Sequence, residues 1–108
     1  MSETVKVVQP VGILDDIRAG QLRREVGEVV ASGANQVLID LKDVTFVNSS
    51  GLSALVSALK TVRTSGGKLF LCSVNDQVKM LFQLTRMDQV FEVFENQADF
   101  TKKVITTK

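Results

Sequence analysis

Val37-Leu38-Ile39-Asp40-Leu41 is a strand-length run broken by a single polar residue. A strand with one wet face alternates polar and apolar side chains, whereas a strand covered on both faces reads as continuous apolar sequence. This run therefore asks for a sheet with a layer on each side. Lys68 to Val74 repeats the buried-strand pattern, and Val90 to Phe94 gives a shorter version of it. Val5, Val7 and Val8, interrupted by Lys6, form a strand that ends or turns near Pro10, and edge placement suits that proline. After the polar break at Lys42-Asp43, Thr45-Phe46-Val47 briefly resumes strand character.

The segments between these runs have helical spacing. Ala19, Leu22, Val26, Val29 and Val30 recur on one face, with Asp15 or Asp16 as the cap and Gly33 as the stop. Gly20 and Gly27 flank that stripe at some cost in helix stability, for which close packing is the available explanation. Leu52, Leu55, Val56, Leu59 and Val62 form a second stripe, ended by Gly66-Gly67. Asn75 or Asp76 opens a third helix carrying Val78, Leu81 and Phe82, and Asn96 precedes a last one with Ala98, Val104 and Ile105. Strands alternating with helices predict an α/β layer structure: a mixed, largely parallel sheet of four to five strands with about four helices. A chain of 108 residues without repeats or linkers is expected to be one domain over residues 1–108.

Composition narrows the chemistry. A net charge of +1 supplies no field for nucleic acid or an anionic membrane. No stretch is apolar enough to span a bilayer, and Met1-Ser2-Glu3-Thr4 lacks the features of a secretory leader, so a cytoplasmic protein is expected. The one cysteine, Cys72, lies in an apolar run and reads as a buried, inert thiol. The absence of histidine excludes Ser–His–Asp and Cys–His catalysis and the imidazole-ligated zinc sites. Asp40 and Asp43 read as solvated loop positions rather than metal ligands, and the six phenylalanines as core. No cofactor and no metal site are expected, and an enzyme is disfavoured.

The segment Phe46-Val47-Asn48-Ser49-Ser50-Gly51-Leu52 joins a strand to a helix through polar residues and a glycine. Asn48, Ser49 and Ser50 are all good N-cap residues, and Gly51 allows close packing. The same junction offers hydroxyls and unpaired N–H groups at the positive end of a helix, where added phosphate is tolerated. Capping and phosphate-carrying are compatible, and one serine could do both. Opposite the apolar stripe of the following helix lie Ser50, Ser53, Ala54, Ser57, Thr61 and Thr64. A face of small uncharged residues, where Glu, Lys or Arg are the ordinary choice, lets another protein approach closely.

These residues resemble the single-domain STAS proteins of the bacterial anti-sigma factor antagonist type. The likeness runs through Gly12-Ile13-Leu14-Asp15 with Ala19 and Leu22, then Val37 to Leu41, the serine turn, Gly66-Gly67, and Asn75 with Val78, Leu81 and Phe82. The resemblance implies that Ser49 is the phosphoacceptor, with Ser50 a secondary candidate. It implies a partner that is an anti-sigma factor and often a serine kinase, bound by the unphosphorylated form to regulate transcription. A metal-dependent serine phosphatase would restore that form. Asp15 matches an acidic residue of the family beside the phosphorylation site. The expected contact surface comprises Asp15, Asp16, Asn48, Ser49, Ser50, Gly51, Ser53, Ala54 and Ser57. Asn48 stands where the family commonly has Asp, which removes a negative charge beside the acceptor. Two other readings are a constitutive scaffold without a phosphorylation cycle and a small-ligand domain holding phosphate at Ser49 to Gly51.

Overall fold

The computed structural model describes residues 5–105, so the ends of the expected domain, including Met1-Ser2-Glu3-Thr4, lie outside the described residues. The elements follow as β1 (Val5–Val8), β2 (Gly12–Leu14), α1 (Asp16–Ala31), β3 (Gln36–Asp40), β4 (Val44–Val47), α2 (Ser49–Thr64), β5 (Lys68–Cys72), α3 (Asp76–Leu84), β6 (Glu92–Phe94) and α4 (Gln97–Phe100). A 3-10 turn at Met87–Gln89 precedes β6, and a π turn at Thr101–Ile105 follows α4. β1, β3, β5 and β6 form a parallel four-stranded sheet in that order. β2 and β4 pair separately, also in parallel. The expected α/β architecture is present, with the strand complement divided between two sheets.

Val37, Leu38 and Ile39 of β3 are buried, as their apolar run requires, and the polar Gln36 and Asp40 at its two ends are buried with them. Val37 and Ile39 face the core built with α1, α2 and α3, which includes Ala19, Leu22, Val26, Leu55, Val62 and Phe82. Leu38 points the other way, into a smaller cluster with Phe70, Cys72 and Phe100. There Phe70, Phe94 and Phe100 pack with ring centroids 5.1–5.8 Å apart, a spacing at which tilted and edge-on aromatic contacts are favourable. β1 is an edge strand, and Pro10 stands two residues past its end, where no ladder hydrogen bond is lost.

The helix ends follow their sequences. Asp15, not Asp16, caps α1 by accepting the Arg18 N–H, and Asn75, not Asp76, caps α3 by accepting that of Val78. Gly33 and Gly66 follow the first two helices at φ values of +99° and +87°, the left-handed conformation that glycine takes without steric cost. No helix among the described residues is long and apolar enough to cross a membrane.

Gly20 and Gly27 depart from expectation. A Cβ placed at either would meet nothing within 4 Å outside its own stretch of helix, so close packing does not account for them. Gly20→Ala and Gly27→Ala should each stabilise the protein by about 0.5–1 kcal/mol through helix propensity alone. Thermal melts of the two variants check this, and a lower Tm would contradict the open space around these positions.

Two further expectations are corrected. Asp40 is not solvated: its residue is 2% exposed, at the C-terminal end of β3. Phe46 is not core; it is 45% exposed, because β4 lies outside the main sheet with one side uncovered.

Candidate functional site: the serine turn

β2 and β4 run side by side in the same direction, and each feeds a helix from its C-terminal end. The starts of α1 and α2 are thereby brought next to each other. The Asn48 N–H donates to the Leu14 carbonyl at 3.3 Å, tying the two strand ends together. Gly51, in the first turn of α2, packs on that same Leu14 carbonyl so closely that no side chain fits there. A residue two positions past the serine therefore sets how near the two helix starts can lie.

The structure divides the roles that the sequence left open at this turn. Asn48 is the N-cap: its backbone is extended, and its Oδ1 accepts the Gly51 N–H at 2.9 Å. Its carbonyl accepts the Leu52 N–H at 2.9 Å. Ser49 is the first residue inside the helix, exposed, and its hydroxyl enters none of the side-chain hydrogen bonds among the described residues. Neither Ser49 nor Ser50 caps α2. The amides of Ser49 and Ser50, at the positive end of α2, have no capping side chain, and that end favours negative charge.

The expected contact residues divide into three sets. Asp16, Ser49 and Ser53 are exposed, while Asp15, Asn48, Ser50 and Ser57 are half-buried. Gly51 and Ala54 are buried and cannot touch a partner through side chains. Ala54 joins Ala58 and Leu55 on the core-facing side of α2, which packs against α1. The helix is rotated relative to the stripe expected from its larger apolar residues. Leu52 and Val56 move to its half-buried margin, because small residues at 51, 54 and 58 let the two helices approach.

An apolar patch beside the turn was not anticipated. Ile13 and Phe46 are register partners across the β2–β4 pair, so their side chains lie on one face; they are 50% and 45% exposed. Ile17, in the first turn of α1, is 73% exposed. The period-2 pattern of Gly12-Ile13-Leu14, with Leu14 fully buried, contained the signal, since the residue before an inward leucine must point outward.

Away from the turn, Asp40 accepts hydrogen bonds from Gln97 Nε2 at 2.7 Å, the Lys42 N–H at 2.9 Å and Gln9 Nε2 at 3.3 Å. Burial opposes its ionisation, but the hydrogen bonds from Gln97 and Lys42, with Ser73 and Cys72, outweigh it and hold the carboxyl below its ordinary value. Burial pushes the Cys72 thiol up to about 11, so at neutral pH it is protonated and unreactive, as its apolar setting implied.

A STAS domain family profile matches residues 2–100, nearly the whole chain. The chain belongs to the STAS-domain family. The anti-sigma-B factor antagonist of Bacillus subtilis is 30% identical over 82 residues, spanning 76% of this chain and 74% of that protein. The crystal structure of an anti-sigma factor antagonist from Mycobacterium paratuberculosis superposes with a TM-score of 0.82 at 26% identity, covering 96% of this chain and 88% of that one. The antagonist SpoIIAA shares the fold in two forms. Its unphosphorylated structure has a TM-score of 0.75 at 15% identity, with coverage of 99% and 94%. The phosphorylated Bacillus protein has a TM-score of 0.71 at 14% identity, with coverage of 94% and 93%. In this STAS domain the family's turn is built with Asn48 as the cap, and Asn fills that role as well as Asp does.

Proposed function

We propose that this STAS domain is an anti-sigma factor antagonist whose partner binding is switched by a phosphate on Ser49. The observation that carries the reading is the division of labour at the turn: Asn48 supplies the cap and leaves the exposed Ser49 hydroxyl without a structural task. The antagonists among its relatives, and the phosphorylated form of a protein with its fold, support the same reading. The partner is an anti-sigma factor that is also a serine kinase. It transfers the γ-phosphoryl group of ATP to Ser49 Oγ, breaking the β–γ anhydride bond and releasing ADP, with the hydroxyl proton passing to a base on the kinase. A metal-dependent serine phosphatase hydrolyses the ester, returning the hydroxyl and inorganic phosphate.

The physics of the switch follows from the surroundings of Ser49. A phosphate adds a charge of about −1.5 to −2 at a helix start, where the dipole stabilises it, so the domain stays folded. A partner seated over Ile13, Ile17 and Phe46 would have to strip water from that charge, which is costly without a paired cation. The same group is thus harmless to the free protein and disruptive to the complex. The contact surface in this reading is the exposed part of the turn, Asp15-Asp16 and the apolar patch, together with Ser53 and Ser57 on α2.

Incubation with the kinase partner and ATP should add one phosphate, mapped to Ser49 by peptide mass spectrometry. Ser49→Asp should weaken partner binding at least about tenfold while shifting Tm by no more than about 2 °C. Absence of phosphate, together with normal binding and signalling by Ser49→Ala, would rule the switch out. Asn48 favours one second reading, a constitutive scaffold, because the acceptor lacks its usual acidic neighbour. In that case Ser49→Asp binds as tightly as wild type and the complex is indifferent to ATP.

A further inference from the structure

β4 pairs with β2 on one side only, so its other edge has no strand partner among the described residues. The start of α3 covers that edge with side-chain amides. The Val47 N–H donates to Gln77 Oε1 at 3.0 Å, and Gln77 Nε2 donates to the Val47 carbonyl at 3.2 Å. One planar amide thus takes both backbone groups of one residue, as a neighbouring strand would. Asn75 adds to this: its Nδ2 donates to the carbonyls of Val44 and Thr45 at 3.1 and 3.3 Å, while its Oδ1 caps α3. Val47 is 1% exposed, so water cannot replace these bonds without local opening.

Val47 immediately precedes Asn48. A single hydrogen bond would fix the position of Val47 but allow its peptide planes to rock; the two-point contact fixes their orientation as well. The orientation of the peptide between Val47 and Asn48 in turn sets where Asn48 Oδ1 meets the Gly51 N–H, and so where Ser49 begins the helix. We propose that Gln77 is a positioning residue for the serine turn, holding the Ser49 hydroxyl in the one arrangement that kinase and partner recognise. The proposal rests on the phosphorylation reading for its consequence, but not for the local order it requires.

Two variants separate this role from general support of the fold. Gln77→Met keeps length and volume and removes both hydrogen bonds; Gln77→Glu keeps the acceptor for the Val47 N–H and loses the donor. In amide hydrogen exchange on the intact protein, Gln77→Met should speed exchange at Val47 and Gly51 roughly tenfold, the scale of a lost hydrogen bond. Gln77→Glu should lie between it and wild type at Val47, and the amides of Leu38 and Leu71 in the main sheet should be unaffected. Well below Tm, KM for phosphorylation by the kinase that modifies the wild-type protein should rise roughly tenfold for Gln77→Met with kcat little changed. Exchange that quickens equally at Leu38 and Leu71, or wild-type values at Val47 and Gly51, would overturn the proposal. Faster exchange at the turn with an unchanged KM would overturn it too, leaving Gln77 a structural residue. If the wild-type protein accepts no phosphate, the switch fails, and exchange at Val47 and Gly51 still decides whether Gln77 orders the turn.

Discussion

Gly51→Ala is expected to destabilise the protein by about 3 kcal/mol or more, lowering Tm by roughly 10–20 °C. The added methyl would run into the Leu14 carbonyl, with the Leu14 Cγ 3.0 Å away. A carbonyl at the end of a paired strand cannot swing aside as a long side chain can. It also accepts the Asn48 N–H, so relief by moving Leu14 breaks the tie between the two strand ends. Gly67→Ala is the useful comparison. Its methyl would meet the Asn35 carbonyl at 2.6 Å, an equally rigid obstacle but remote from the serine turn. Both variants should lose stability in urea or thermal unfolding. Only Gly51→Ala should also weaken partner binding when assayed well below its Tm, because only it separates the helix starts. A Gly51→Ala protein as stable as wild type would show that the close approach is not needed.

Asp40→Ala should cost about 2 kcal/mol at pH 7, the scale of losing hydrogen bonds to a buried carboxylate whose donors lie on exposed residues that water can reach. The carboxylate receives donors from three separate parts of the chain: Gln9 after β1, Lys42 after β3, and Gln97 at the start of α4. Its removal therefore loosens the attachment of α4 to the main sheet as well as emptying a buried site. The pH dependence has a definite sign. Asp40 titrates lower in the folded protein than its ordinary 3.8. Its ionised form therefore contributes stability that is fully present above the unfolded value and lost as pH falls through the folded one. Urea unfolding from pH 7 to pH 2 should show a constant gap between wild type and Asp40→Asn above about pH 5, narrowing below about pH 4. A gap that widens toward low pH would mean that burial, not hydrogen bonding, governs this carboxyl.

Much of the architecture was legible because it is local. The two-faced burial of Val37 to Ile39 in β3, the glycine stops at Gly33 and Gly66, and the start of α3 within Asn75-Asp76 depend on spacing and on conformations available to single residues. The candidate site was legible as a place, since a strand, a polar turn and a helix stand in consecutive sequence. Its internal assignments were not. Three adjacent residues could each cap α2, and only the path of the chain past Leu14 selects Asn48. Ala54 belonged by its smallness to the outer face, yet it is buried against α1, because helix rotation responds to the neighbour as well as to side-chain size.

The amino-acid sequence by itself determined the alternation of strands and helices, the both-faces-covered central strand, the helix ends, and the strand–serine–helix junction that marks a STAS domain. These follow from periodicity and backbone preference, which act over a few residues. Only the tertiary structure decided that Asp40 is a buried tie rather than a wet loop residue, that Ile13 and Phe46 form an exposed pair beside Ser49, and that Gln77 holds Val47. Those facts depend on groups 30 to 57 residues apart in the chain, as with Gln77 and Val47 or Gln97 and Asp40. A side-chain amide carries no periodic signal of the distant backbone it will pair with, and that pairing exists only once the sheets and helices are in place.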